Sequence, residues 1–183
     1  PQTIDLSNYF CLPGLIDMHT HISEASSGDL IEFYTKTQQE QLKVGRINVE
    51  KTLKAGFTTV RDLGVYIAWT DKKLRDEINA DKIPGPRMKI SGYYLSIPGG
   101  GGDVAVPDYE GKVPDQIRRG ITKGVENFRV KAEKLVSGGA DQIKLIASGA
   151  VLAYGSVPGN PEMSPEEIAA VVAVAKDANM NVI

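Results

Sequence analysis

The 183-residue chain reads as an α/β protein: the N-terminal part of a (β/α)8 barrel, with about four βα units and the start of a fifth strand. Three observations predict this class. Mostly apolar stretches of strand length alternate with longer, charge-rich stretches, the order that builds parallel βα units. Connections after the strands are long and those after the helices are short, as in a barrel whose loops gather at the C-terminal strand ends. The Gly-x-Gly-x-x-Gly that follows the first strand of a doubly wound sheet is missing, and the later glycine run has no helix directly behind it. A doubly wound open sheet is the competing architecture. A smaller α/β fold complete in itself is the alternative to a partial barrel, which would leave open edges and exposed apolar surface.

Pro1 to Phe10 reads as a strand and turn, the end of a small β domain or a linker, so residues 1–10 are set apart from the barrel part, 11–183. Cys11 to His21 is the first strand. Side chains alternate along a strand, so Asp17, His19 and His21 share one face and Ile16 and Met18 the other. Asp29 to Ala55 is helical, with Leu30, Ile31, Phe33, Tyr34, Leu42, Val44, Ile47, Val49 and Leu53 as its apolar positions and a break expected at Gly45. Gly56 to Gly64 is the second strand, Ala68 to Ala80 the second helix, Pro84-Gly85-Pro86 a turn, and Arg87 to Ser96 the third strand. Ile97 to Pro114 is a loop containing Pro98-Gly-Gly-Gly-Gly-Asp103, long enough to be functional or mobile. Asp115 to Val136 is predicted as a third long helix, ended by Ser137-Gly138-Gly139, and Ala140 to Ser148 as a fourth strand. After the Gly/Pro-rich loop from Gly149 to Met163, Ser164-Pro165-Glu166-Glu167 signals a helix start: serine cap, proline at the first position, glutamate three residues after the cap. That helix runs to about Asn179, and Asn181 to Ile183 begins a fifth strand.

Composition narrows the function classes. A net charge of −2 gives no support for nucleic acid or an anionic membrane as partner. No apolar run approaches the roughly 20 residues of a membrane span. The single cysteine, Cys11, excludes an internal disulfide and is neutral about compartment; no secretory leader is visible, and cytoplasm is the default.

The chemistry concentrates in a few residues. The only two histidines, His19 and His21, stand one residue apart at a strand end, where two imidazoles suit a divalent metal. Lys144 sits inside Gln142-Ile-Lys-Leu-Ile146, a strand that a barrel would bury on both faces. Lysine is rarely buried unpaired, and burial favours its neutral amine, which can add carbon dioxide to give a carbamate. The alternatives are a lysine reaching to solvent from a strand end or one paired with Asp62 or Asp141. Asp17 is a candidate partner orienting a histidine, or has a local structural role. Arg61 and Asp62 are placed to touch substrate or to pair with each other. Tyr93, Tyr94 and Tyr154 are candidates for pocket lining or for packing, and Lys112 and Lys123 for solvated helix faces.

Pro13 to His21, Gly56-Phe-Thr-Thr-Val-Arg-Asp-Leu-Gly64, Pro84-Gly-Pro-Arg-Met-Lys-Ile-Ser-Gly92 and the Lys144 strand together resemble the amidohydrolase superfamily of metal-dependent hydrolases. The resemblance points to the branch of imidazolonepropionase and prolidase-like dipeptidases, and closest to zinc-dependent Xaa-Arg/Lys dipeptidases of the arginine carboxypeptidase kind. It implies a TIM-type barrel in which His19 and His21 hold the more buried of two divalent metals, expected to be zinc, and carboxylated Lys144 bridges both. A hydroxide between the metals would attack the amide of a dipeptide or N-acyl amino acid, with C-terminal Arg or Lys the first choice and small-molecule or dipeptide substrates the only partners besides further copies in a homo-oligomer. A prolidase or an imidazolone or lactone hydrolase is the alternative, and a non-catalytic barrel scaffold the rival from another class. The family's further histidines and its general-base aspartate belong to strands beyond Ile183, so this chain alone is expected to be inactive. Relatives often carry Gly-Gly-His-Gly-Asp after the third strand; here Gly101 replaces the histidine, which removes one polarising group from the substrate side. Arg61, Tyr94, Gly101 and Asp103 are the substrate-side candidates.

Overall fold

The computed structural model describes residues 3–24, 35–103, 113–151 and 153–183. Strands and helices alternate along them: β1 Leu15–Thr20, α1 Gln38–Lys54, β2 Phe57–Asp62, α2 Thr70–Asn79, β3 Arg87–Lys89, α3 Val125–Gly138, β4 Gln142–Ile143, α4 Pro165–Asp177 and β5 Asn181–Val182. β1, β2 and β3 form one parallel sheet in that order, and β4 and β5 a second parallel pair. The two are joined by a parallel bridge between Leu95 and Leu145, with Leu95 N donating to the Lys144 carbonyl and Ile146 N to the Leu95 carbonyl, each at 2.9 Å. Parallel strands thus follow one another in chain order, the α/β arrangement the alternation predicts. The third and fourth strands are shorter than expected. Gly92, at φ 73°, turns the chain out of β3, and Leu95 then makes a single parallel bridge to Leu145.

Helix starts follow local chemistry. Thr37 caps α1 and Ser164 caps α4, each in a reciprocal capping box with Glu40 and Glu167, and Pro165 opens α4 as predicted. Three expectations are corrected. Gly45 does not break the first helix: it is buried in mid-α1, and a Cβ there would run into Leu74 Cδ1 of α2, so the glycine admits a close helix–helix approach. The helix expected from Asp115 begins only at Val125. Residues 115–117 make a single 3₁₀ turn, after which Gly120 passes against the Tyr94 carbonyl and Gly124 adopts φ 92°. The strand expected at the N-terminus is absent among the described residues, where 3–14 run as exposed chain with a turn from Leu6 to Tyr9. Pro1 and Gln2, the helical expectation from Asp29 to Tyr34, the loop from 104 to 112 and Lys112 lie outside the described residues.

Two apolar layers hold the helices on the strands. Ile22, Leu42, Val49, Val60, Leu74, Met88 and Ile90 pack beneath α1 and α2. Phe128, Leu135, Ile143, Leu145 and Val171 lie at the centre of the layer beneath α3 and α4. Arg46 of α1 grips Glu77 of α2 with two bonds of 2.6 and 2.8 Å, and Arg75 of α2 reaches Asp141 before β4 at 2.8 Å. Among the described residues β1 is paired only with β2, and Ile16 and Met18 on its outer face are 60% and 51% exposed. No helix among the described residues is long and apolar enough to cross a membrane.

Candidate functional site

The C-terminal ends of β1, β2 and β4 bring the sequence-singled residues together. Alternation along β1 carries His19 and His21 to one side, their ring centroids 5.4 Å apart and inclined by 65°. His21 Nδ1 lies 2.8 Å from the Gly64 carbonyl, just after β2. A carbonyl only accepts, so Nδ1 carries the proton and Nε2 is left as a free lone pair in the neutral ring. Burial keeps that ring below the ordinary imidazole range; the Gly64 bond opposes this, and the nearby His19 and Lys144 reinforce it. Neutral with a defined tautomer is the state in which imidazole ligates a metal.

Lys144 stands immediately after β4, close enough to His21 for its charge to be felt there. It is half-buried rather than buried, a correction to the expectation from its strand context. Burial, and then the Arg61 guanidinium, lower its amine from the usual lysine range. Neither expected carboxylate partner is in place: Asp141 is held by Arg75 and Lys89, and Asp62 by backbone N–H groups. The described residues thus leave the Lys144 amine without a salt bridge.

The remaining candidates separate into those at the site and those held elsewhere. Arg61 donates from Nε to the Met18 carbonyl at 2.7 Å, between the histidine strand and Lys144. It does not pair with Asp62, since adjacent strand residues face opposite sides. Asp17 receives the His19 backbone N–H at 3.0 Å, a local bond that leaves the ring alone. Tyr94 is buried against Gly64, edge-on to Tyr66 with centroids 6.2 Å apart. Tyr93 packs on Trp69 in the apolar layer beneath α3 and α4, Tyr154 is exposed, and Lys123 is a solvated charge. Asp103 is taken up by Arg118 at 2.6 Å and by Gly99 N at 2.9 Å, which folds the glycine loop on itself. Gly101 N donates to Glu162 at 2.7 Å, and a Cβ at 101 would sit 3.0 Å from Ala150 N and 3.1 Å from the Ser148 carbonyl. The loop after β4 therefore occupies the space a side chain at 101 needs.

Sequence reasoning passed over Glu24, three residues beyond His21. Its Oε1 is 3.7 Å from His21 Nδ1, yet the two do not form an ion pair. Burial pushes the Glu24 carboxyl up to about 8, His21 is kept neutral, and Nδ1 is already engaged by Gly64. The i,i+3 spacing at a strand end was the available signal. Ser23 beside it is fully buried, and its hydroxyl has no hydrogen-bond partner among the described residues.

Among the described residues no three His, Cys, Asp or Glu side chains stand close enough to hold a metal. Two imidazoles and one lysine are fewer donors than the four that zinc usually takes, so these residues fit part of a metal site.

The sequence model of the Amidohydrolase family matches residues 10–183. Ochratoxinase of Aspergillus niger is 28% identical over 188 residues, covering 92% of this chain and 37% of the relative. Among solved structures, a Xaa-Pro dipeptidase with methionine bound in its active site is 34% identical with a TM-score of 0.77, over 93% of this chain and 42% of the other. A prolidase complexed with N-methylphosphonate-L-proline is 30% identical with a TM-score of 0.81, over 99% and 46%. The chain spans less than half the length of each of these relatives.

Proposed function

The chain belongs to the Amidohydrolase family, and from that premise we propose that it contributes one side of the active site of a metal-dependent hydrolase cleaving the amide bond of a dipeptide or N-acyl amino acid. The observation that carries the reading is the His19–His21 pair, with His21 fixed as the Nδ1–H tautomer by Gly64 and Lys144 close by. His19 and His21 would hold a divalent metal, zinc being the first choice. When bound, such a metal lowers the pKa of water and polarises the scissile carbonyl.

The chain's own residues prepare that chemistry. Gly64 directs the His21 Nε2 lone pair away from the backbone and keeps the proton on Nδ1. The half-buried Lys144 amine can attack the carbon of carbon dioxide: an N–C bond forms, one proton leaves to solvent, and an anionic carbamate remains, able to serve a second metal. Arg61, anchored on Met18, holds a cation beside Lys144, suited to a carboxylate or to the carbamate itself. A general base must take the proton of the attacking water and then pass it to the leaving amine, a role the proposal assigns to an aspartate that is not among these 183 residues. Two solved relatives named for Xaa-Pro or prolidase activity favour proline-containing dipeptides as the second substrate choice beside C-terminal Arg or Lys. Assembly as a homo-oligomer belongs to the same proposal.

The test is elemental analysis of the full-length protein, followed by amino-acid release from Ala-Arg, Ala-Lys, Ala-Pro and their N-acetyl analogues. About two metals per chain are expected, falling to about one in Lys144→Met, with hydrolysis lost in His21→Asn. No bound metal after incubation with zinc and bicarbonate would refute the hydrolase and favour a scaffold.

A further inference from the structure

Asp62 is fully buried at the end of β2, and its bonds reach the ends of three other strands. Its carboxylate accepts the Ile22 N–H at 2.7 Å and the Gly64 N–H at 3.2 Å, with Thr20 Oγ1 3.4 Å away. Ile22 directly follows His21, and Gly64 is the residue whose carbonyl receives His21 Nδ1. One side chain therefore holds the backbone behind His21 and the loop in front of its ring. The Asp62 main-chain carbonyl works toward the other side of the site. It accepts Ser91 Oγ at 2.9 Å and Gln142 Nε2 at 3.1 Å, and Gln142 also bonds Ser91 Oγ at 3.2 Å. Gln142 lies two residues before Lys144.

We propose that Asp62 is a positioning residue that orients His21 and sets its spacing from Lys144, without itself touching metal or substrate. The assignment rests on the metal-site reading above. A carboxyl group is required because the donors converge on both of its oxygens, Ile22 N–H and Thr20 Oγ1 on one and Gly64 N–H on the other, whereas an asparagine amide offers a single acceptor oxygen. The arrangement is costly: Asp62 lies beside a second buried carboxyl, Asp71, and none of its hydrogen-bond partners among the described residues is cationic. Local rules broken in this way concentrate at functional sites.

The experiment measures zinc affinity of the full-length protein by competition with a chromophoric chelator, and the His21 Nδ1 proton of the metal-free protein by NMR. Asp62→Asn is expected to weaken zinc roughly 10- to 100-fold, the usual effect of removing a group that orients a ligand, and to abolish or shift the Nδ1 proton. Gln142→Met, which severs only the β4 arm, is expected to weaken zinc a few-fold and leave that proton in place. Leu74→Ala, in the apolar layer under α1 and α2, serves as a destabilised control and should change neither readout. A folded Asp62→Asn protein with wild-type zinc affinity and an unshifted Nδ1 proton overturns the assignment. If Asp62→Asn does not fold, wild-type affinity in Gln142→Met overturns the link between the strands. A wild type that binds no zinc refutes the hydrolase reading instead, and the Nδ1 proton then still decides whether Asp62 orients His21.

Discussion

Replacing Gly45 by alanine sets two effects of known sign against each other. In an exposed helix the change stabilises by about 1 kcal/mol through helix propensity. Here the new methyl would overlap Leu74 Cδ1 and stand 3.1 Å from Cδ2 and 3.3 Å from Cγ. Leu74 is completely buried in its apolar layer, so the whole isobutyl group must shift against packed neighbours. Overpacking of this kind costs typically about 1–3 kcal/mol. Taking about 2 for the clash, Gly45→Ala should destabilise by about 1 kcal/mol net. Leu74→Ala alone should cost about 3 kcal/mol, within the range for leucine truncation. With Leu74 shortened the obstructing atoms are gone, and Gly45→Ala should then stabilise by about 1 kcal/mol, for a coupling energy near 2. The assay is urea unfolding of the four proteins, followed by fluorescence of Trp69, which packs against both apolar layers. The sign reversal is the diagnostic. A Gly45→Ala protein that is more stable than wild type, with no coupling to Leu74, would show that α1 and α2 do not meet at this glycine.

Burial pushes the Asp71 carboxyl from 3.8 up to about 6. The folded protein then holds this proton more tightly than the unfolded chain, so its stabilising effect is complete below about pH 4 and is lost as pH rises through about 6. Asp71→Asn should lack that decline, and urea midpoints of the two proteins that stay parallel from pH 4 to 7 would refute it. Ser164→Ala should cost about 1 kcal/mol through loss of the α4 cap. Glu167→Ala should cost more in the same melts, because Glu167 also receives the Gly124 N–H at 2.7 Å at the start of α3. Gly101→Ala must displace the backbone at Ser148–Ala150, so limited proteolysis should cut the glycine loop faster than in wild type; equal rates would mean the loops are not in contact.

The parts of this structure that depend on near neighbours were legible in the sequence. The Ser164-Pro165-Glu166-Glu167 start of α4 is a self-contained set of bonds, and βα alternation gave the parallel order of the strands. The grouping of His19 and His21 follows from strand period alone, and Lys144 stood out as a cation in an apolar strand. What escaped depends on distant residues. Gly45 continues its helix because Leu74 lies across from it, and α3 starts late because Gly120 must pass the Tyr94 carbonyl. Lys144 is only half-buried because the described residues do not close over it. For Arg61 and Asp62, left open between touching substrate and pairing with each other, strand alternation applied as it was to the histidines already separates the two side chains.

β1 carries its chemistry on one face and bare hydrocarbon on the other, with Phe10 and Leu12 fully or largely exposed just before it. Such an edge is an open template for another chain. Self-association of the 183 residues through this edge would register in the same measurements as a native interface. Gel-filtration profiles intended to define the biological assembly need Ile16 and Met18 under cover, or replaced by lysine, before they can be interpreted.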